Sequence, residues 1–196
     1  LLISSLLYSE ECGWEWQSPK PQGNFLTSVK YASKNIAYAC GDVGTILKTT
    51  DGGDNWILLT TEIKVDLFNI FPIDEDNCLA IGNDSNIFKT TNGGKNWYSV
   101  NSSIDTTLSK IFFINSTTGW ITSFKGNIIK TTDAGNSWFE QISNTTKTLN
   151  DIYFLNENLG YAVGFEGTLL KTTDGDDNWV KKDSITDKNF HSVFFY

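Results

Sequence analysis

Short apolar runs, each closed by turn residues, set the pattern of this chain. Leu149–Phe154, Gly160–Gly164, Thr168–Thr172 and Trp179–Lys182 are rich in β-branched and aromatic residues. Asparagine, aspartate and glycine bound each run, which predicts four short strands joined by tight hairpins. No 3.6-residue periodicity lasts more than a turn, so helices are not expected. Gly164-Phe165-Glu166-Gly167 offers glycines for the positive φ angles a tight hairpin demands.

The pattern then repeats. KTTDGGDNW begins at Lys48, KTTNGGKNW at Lys89, KTTDAGNSW at Lys130 and KTTDGDDNW at Lys171, a constant spacing of 41. Leu26, Leu67, Leu108 and Leu149 open the repeats in the same register, and Val29, Ile70, Ile111 and Ile152 follow three residues later. Four hairpin-linked strands in about 40 residues make the unit of a β-propeller blade, whose sheet buries its faces only by stacking on neighbours. The fold expected is all-β, with four-stranded antiparallel blades at about 24–64, 65–105, 106–146 and 147–187. Phe190 to Phe195 starts a fifth copy, and residues 188–196 are assigned to it. Trp14 to Ser18 falls where an outer strand would precede Leu26, so it is expected to act as a ring clasp. Together these features point to part of a larger ring, the rival reading being a four-bladed ring with an extra hairpin.

Composition narrows the function. The 196 residues are 39% hydrophobic and 19% charged, with net charge −8, and all fifteen cations are lysine. An acidic chain without arginine has neither a basic face for nucleic acid nor a guanidinium fork for carboxylate or phosphate. One histidine, His191, excludes multi-histidine metal sites, so neither metal nor cofactor is expected. Cys12, Cys40 and Cys78 are widely spaced and odd in number, which points to isolated thiols rather than a disulfide scaffold. Residues 1–12 begin LLISSLLY, too short to span a membrane. This segment reads as the remnant of a signal peptide or an unstructured terminus, and hence as an extracytoplasmic protein.

The turn between the third and fourth strands, Thr49-x-Asp51-x-Gly53-x-Asn55-Trp56, matches the Asp-box or BNR repeat. Its partners are Thr90, Asn92, Gly94 and Trp97; Thr131, Asp133, Gly135 and Trp138; and Thr172, Asp174 and Trp179, where Asp176 replaces the glycine. A turn-opening carboxylate accepts backbone N–H groups just ahead of it, and the tryptophan anchors the outer strand against its blade. Four near-identical copies point to a structural staple rather than to catalysis.

The run from Gly160 to Gly164, with Gly167 to Gly175, resembles the photosystem II stability and assembly factor family and its bacterial relatives outside photosynthesis. The resemblance covers about residues 14 to 196. It implies a non-enzymatic propeller of six to eight blades, of which this chain is a fragment, that binds protein partners outside the cytoplasm. The photosynthetic members use an arginine patch for their partner, which has no counterpart here. Sialidases, which also carry Asp-boxes, need three arginines. Xyloglucanase-type hydrolases on Asp-box propellers use two carboxylates, for which Asp42 and Asp84, at matching hairpins of adjacent blades, are the candidates. The competing class is therefore a carbohydrate-active propeller, either a glycoside hydrolase of the xyloglucanase type or a glycan-binding module.

The repeats diverge most at the tips between second and third strands: Asp42-Val43, Asn83-Asp84-Ser85, Phe124-Lys125 and Phe165-Glu166. Alternate hairpins emerge on opposite faces, so these tips are expected beside the inter-blade connections, away from the Asp-boxes. Phe124 and Phe165 are candidate anchors for a protein or peptide, with Lys125 beside them. Asp42, Asp84 and Glu166 form a rim that favours a basic partner.

Overall fold

A computed structural model of the protein describes residues 23–175, 178–184 and 186–196. The segment 1–12 with Cys12, the clasp Trp14 to Ser18, and Asp176 of the fourth box lie outside the described residues. The first blade holds β1 (Leu26–Tyr31), β2 (Ala37–Gly41), β3 (Ile46–Thr49) and β4 (Ile57–Leu58). The second holds β5 (Leu67–Pro72), β6 (Cys78–Gly82), β7 (Ile87–Thr90) and β8 (Tyr98–Val100). The third holds β9 (Leu108–Phe113), β10 (Gly119–Ser123), β11 (Ile128–Thr131) and β12 (Phe139–Gln141). The fourth holds β13 (Leu149–Phe154), β14 (Gly160–Gly164), β15 (Leu169–Thr172) and β16 (Val180–Lys181). Each blade is an antiparallel meander in chain order.

Two devices give the blades their stacking. The first is a face pattern. Leu67, Leu108 and Leu149 are fully buried, and Ile70, Ile111 and Ile152 nearly so, each against the preceding blade. Leu26 and Val29, at the same positions of the first blade, are 48% and 58% exposed. One apolar cluster fills each junction; between the second and third blades it joins Leu79 and Ile81 to Leu108, Ile111 and Trp138.

The second device is a bulge. Leu26 pairs with Gly41 but Ser28 with Cys40, so Thr27 is unpaired, and the same slip recurs at Phe68, Ser109 and Asn150. The bulge turns the side chain towards the next blade. Thr27 donates to Leu67 O at 2.7 Å, and Ser109 to Leu149 O and Asn150 to Phe190 O at 2.6 Å each.

First strands of successive blades pack side by side, β1 on β5, β5 on β9 and β9 on β13, while among the described residues no packing of comparable extent joins the first blade to the fourth. The four blades therefore form an arc. Residues 190–196 lie where the first strand of another blade belongs, with Phe190 N donating to Gly164 O at 2.9 Å.

The hairpin expectation needs one correction. Gly167 does have φ 65, but Gly164 is extended at φ −169. Glycine is needed at Gly164 for space, because a Cβ there would lie 1.9 Å from Thr148 O. Glu166 takes the left-handed conformation instead, at φ 53.

Candidate functional site

The Asp-box turns form one end of the molecule. In the third blade, Thr131 Oγ1 donates to Asp133 Oδ1 at 2.8 Å and accepts from Gly135 N at 2.9 Å. Asp133 Oδ1 also accepts from Asn136 N and Ser137 N at 2.9 Å, and Oδ2 from Ser137 Oγ at 2.6 Å. Thr49, Asp51, Gly53 and Asn55 repeat the arrangement. In the second blade Asn92 Oδ1 accepts from Thr90 Oγ1 and Asn96 N at 3.0 Å each, without charge, while Gly94 N donates to Thr90 Oγ1. In the fourth, Thr172 donates to Asp174 and accepts from Gly175 N. The N–H groups of Asn55 and the Thr49 hydroxyl lower Asp51 to a pKa of about 2. For Asp133, burial pushes the pKa up, but the donors Ser137, Thr131 and Asn136 outweigh it and hold the pKa at about 2.

The signature reaches further than its own turn. Lys48 Nζ donates to Gly93 O of the next blade's box at 2.9 Å. Lys89, which is buried, donates to Ala134 O at 2.8 Å and Asn136 Oδ1 at 2.7 Å. In the other direction, Trp97 packs on the Tyr38 cluster of the first blade and Trp138 on the Leu79 cluster of the second. Trp179 enters the Trp120 cluster of the third and donates to Gln141 Oε1 at 3.0 Å. Trp56 is half-buried. Trp97, Trp138 and Trp179 thus anchor a blade to its predecessor, where the sequence predicts only the anchoring of an outer strand to its own blade.

The tips lie at the other end, beside the inter-blade connections. Val43 N donates to Asp66 Oδ1 and Asn83 N to Asp66 O, so the connection residue Asp66 stands between the first two tips. The Asp42 and Asp84 carboxylates form no hydrogen bond or ion pair with each other or with another described residue. Phe124 is 46% exposed and stacks on Phe68 with centroids 5.9 Å apart. Lys125 Nζ donates to Asp105 O at 3.2 Å. Phe165 is 41% exposed, and Glu166 pairs with Lys147 at 2.6 Å. Phe124 and Phe165 share a face but no ring contact.

Sequence reasoning missed a polar ring on the innermost strands: Ser28, Asn69, Lys110, Asp151 and Ser192, each 41 residues after the last. Asn69 Nδ2 donates to Ser28 Oγ at 3.1 Å, and Asn69 Oδ1 accepts from Ile111 N at 3.3 Å. Lys110 Nζ lies 3.5 Å from Asp151 Oδ1, and Asp151 Oδ2 accepts from Ser192 Oγ at 2.7 Å and Val193 N at 3.0 Å. Each step joins one blade to the next. The constant spacing was the available signal, but a search for identical residues passes over it.

Cys40 and Cys78 are buried free thiols; burial pushes Cys40 up to about 12 and Cys78 well above its ordinary value, so both are unreactive. Among the described residues, no three His, Cys, Asp or Glu side chains cluster as metal ligands, and no helix is long and apolar enough to cross a membrane.

Solved structures share this architecture. YCF48 bound to D1 peptide superposes with a TM-score of 0.72 at 17% identity, over 94% of this chain and 62% of that one. YCF48 from Cyanidioschyzon merolae gives 0.72 at 19%, over 92% and 63%. An ancestral GH74 enzyme gives 0.70 at 19%, over 89% of this chain and 26% of its own. The chain is a β-propeller. It spans less than two thirds of each of these proteins. Its neighbours in fold include both YCF48 and GH74 enzymes, and the shared architecture does not divide them. No protein-family model matches the chain, and no curated protein matches it in sequence.

Proposed function

We propose that the protein is a non-enzymatic, extracytoplasmic scaffold that holds a protein or peptide partner on its connection face, through Phe124 and Phe165. The observation that carries this reading is the pair of half-exposed rings at the same tip of successive blades. Apolar rings presented to solvent on a rigid rim are the kind of group that anchors an interface core. Phe68 backs Phe124 and holds its ring in place. Lys125 and Glu166 already have partners, whereas Asp42 and Asp84 keep their carboxylates free for a basic group. A peptide-bound structure among the neighbours in fold supports peptide binding by such a scaffold.

The test is a pull-down from the native extracellular fraction with wild type and a Phe124→Ser/Phe165→Ser variant. The variant should lose the partner while its melting is unchanged; equal recovery by both proteins overturns the reading.

A carbohydrate-active alternative rests on the GH74 neighbours and the free carboxylates of Asp42 and Asp84. Release of reducing sugar from plant or bacterial polysaccharides, abolished by Asp84→Asn, would establish it in place of the scaffold.

A further inference from the structure

The innermost strands and residues 192–194 line an open cavity of about 250 Å³. One wall position recurs every 41 residues: Lys30, Phe71, Phe112, Tyr153 and Phe194. Its rings touch in succession, with centroids 6.4 Å apart for Phe71–Phe112, 5.2 Å for Phe112–Tyr153 and 5.3 Å for Tyr153–Phe194. Lys30 Nζ sits 4.6 Å from the Phe71 centroid.

The charges in this cavity do not balance. Lys30, Lys110 and Asp151 line it, two ammonium groups against one carboxylate. Asp151 is already engaged by Lys110, Ser192 Oγ and the N–H groups of Ile152 and Val193. Lys30 has no carboxylate or carbonyl acceptor among the described residues. Partial burial and the nearby Lys110 lower its pKa, with Asp151 opposing them. In a chain of net charge −8, this channel is a local site of positive charge.

The amide and hydroxyl groups of Ser28, Asn69 and Ser192 in the wall serve the structure. Ser28 and Asn69 bond each other and the N–H groups of Ile70 and Ile111, and Ser192 bonds Asp151. That leaves aromatic surface, with the Tyr153 phenol among its rings, and unneutralised ammonium.

We propose that the channel binds a small monoanion, a carboxylate carried on a flat apolar body of the arylalkanoate class. The carboxylate meets Lys30 and Lys110, and the body lies along Phe71, Phe112 and Tyr153. One surplus positive charge matches one carboxylate, and the volume suits a small acid rather than a peptide chain. This site is independent of the connection face.

The experiment is a titration of the full chain with 3-phenylpropionate and with its neutral amide, read by calorimetry and by the ring resonances of Phe112 and Tyr153. The acid should shift both rings and bind about tenfold or more tightly than the amide, as a charged hydrogen bond is worth. Lys30→Gln should weaken the acid by a similar factor, Lys30→Arg should retain it, and the remote Lys64→Gln should match wild type, all with unchanged melting. Equal binding of acid and amide, full affinity in Lys30→Gln, or no ring shift at about 10 mM acid would overturn the proposal.

Discussion

At the residue scale, the Asp-box is a charge held by dipoles. Asp51 and Asp133 have folded pKa values near 2, below the ordinary carboxylate range, because local N–H and hydroxyl donors favour the ionised form. A depressed folded pKa contributes stability above the unfolded value, and that contribution is lost as pH falls from about 4 towards 2. The melting temperature should therefore drop across that window. Asp133→Asn should flatten the drop while keeping the turn, since Asn92 already fills the same role uncharged. Thermal melts from pH 6 to pH 2 check this; an identical acid profile in Asp133→Asn contradicts it. Asp133→Ala should cost about 1 kcal/mol at neutral pH through lost turn bonds. Ala134 sits at φ 61, where glycine stands in the first two boxes. Ala134→Gly should raise stability by up to about 1 kcal/mol, relief of left-handed strain exceeding the entropy glycine adds.

At the element scale, the blades are joined by what each signature lends its neighbour. Lys89 is buried and spends its ammonium on two oxygens of the next turn. Lys89→Met should cost about 1–3 kcal/mol, because Ala134 O and Asn136 Oδ1 lose their donor. Trp138→Ala should cost about 3–5 kcal/mol, opening a cavity at the junction that holds Leu79 and Phe113. Chemical denaturation measures both, and a change under about 0.5 kcal/mol in either would contradict the junction role. Strand order and blade period were legible because a repeat prints them four times over. The reach of Lys48 and Lys89 was not, since their acceptors are backbone carbonyls 45 residues ahead that sequence does not mark. The polar ring escaped for a different reason. Ser28, Asn69, Lys110 and Asp151 do one job with four chemistries, and pairing such as Lys110 with Asp151 exists only once the strands lie side by side. The tip aromatics were legible as variation; the backing of Phe124 by Phe68 was not, because Phe68 faces that ring only through its bulge.

At the scale of the whole molecule, the arc divides its labour. One end is given to staples, the innermost strands to a polar ring and an aromatic channel, and the other end to tips with exposed rings. The first blade leaves Leu26 and Val29, at 48% and 58% exposure, where later blades bury the same positions. This apolar face should drive self-association of the isolated chain, visible as mass rising with concentration in static light scattering. A sharply monomeric species at all concentrations would contradict that expectation.

The central claim is that a partner docks on the connection face and leaves the Asp-box face alone. Site-specific photo-cross-linking tests it most directly, with the probe placed at Phe165 in one protein and at the exposed Asp54 of an Asp-box turn in another. Each is exposed to the native extracellular fraction. Adducts with a discrete partner from position 165 and none from position 54 are the predicted result. Adducts from position 54 alone, or the same partner captured equally from both, would contradict it.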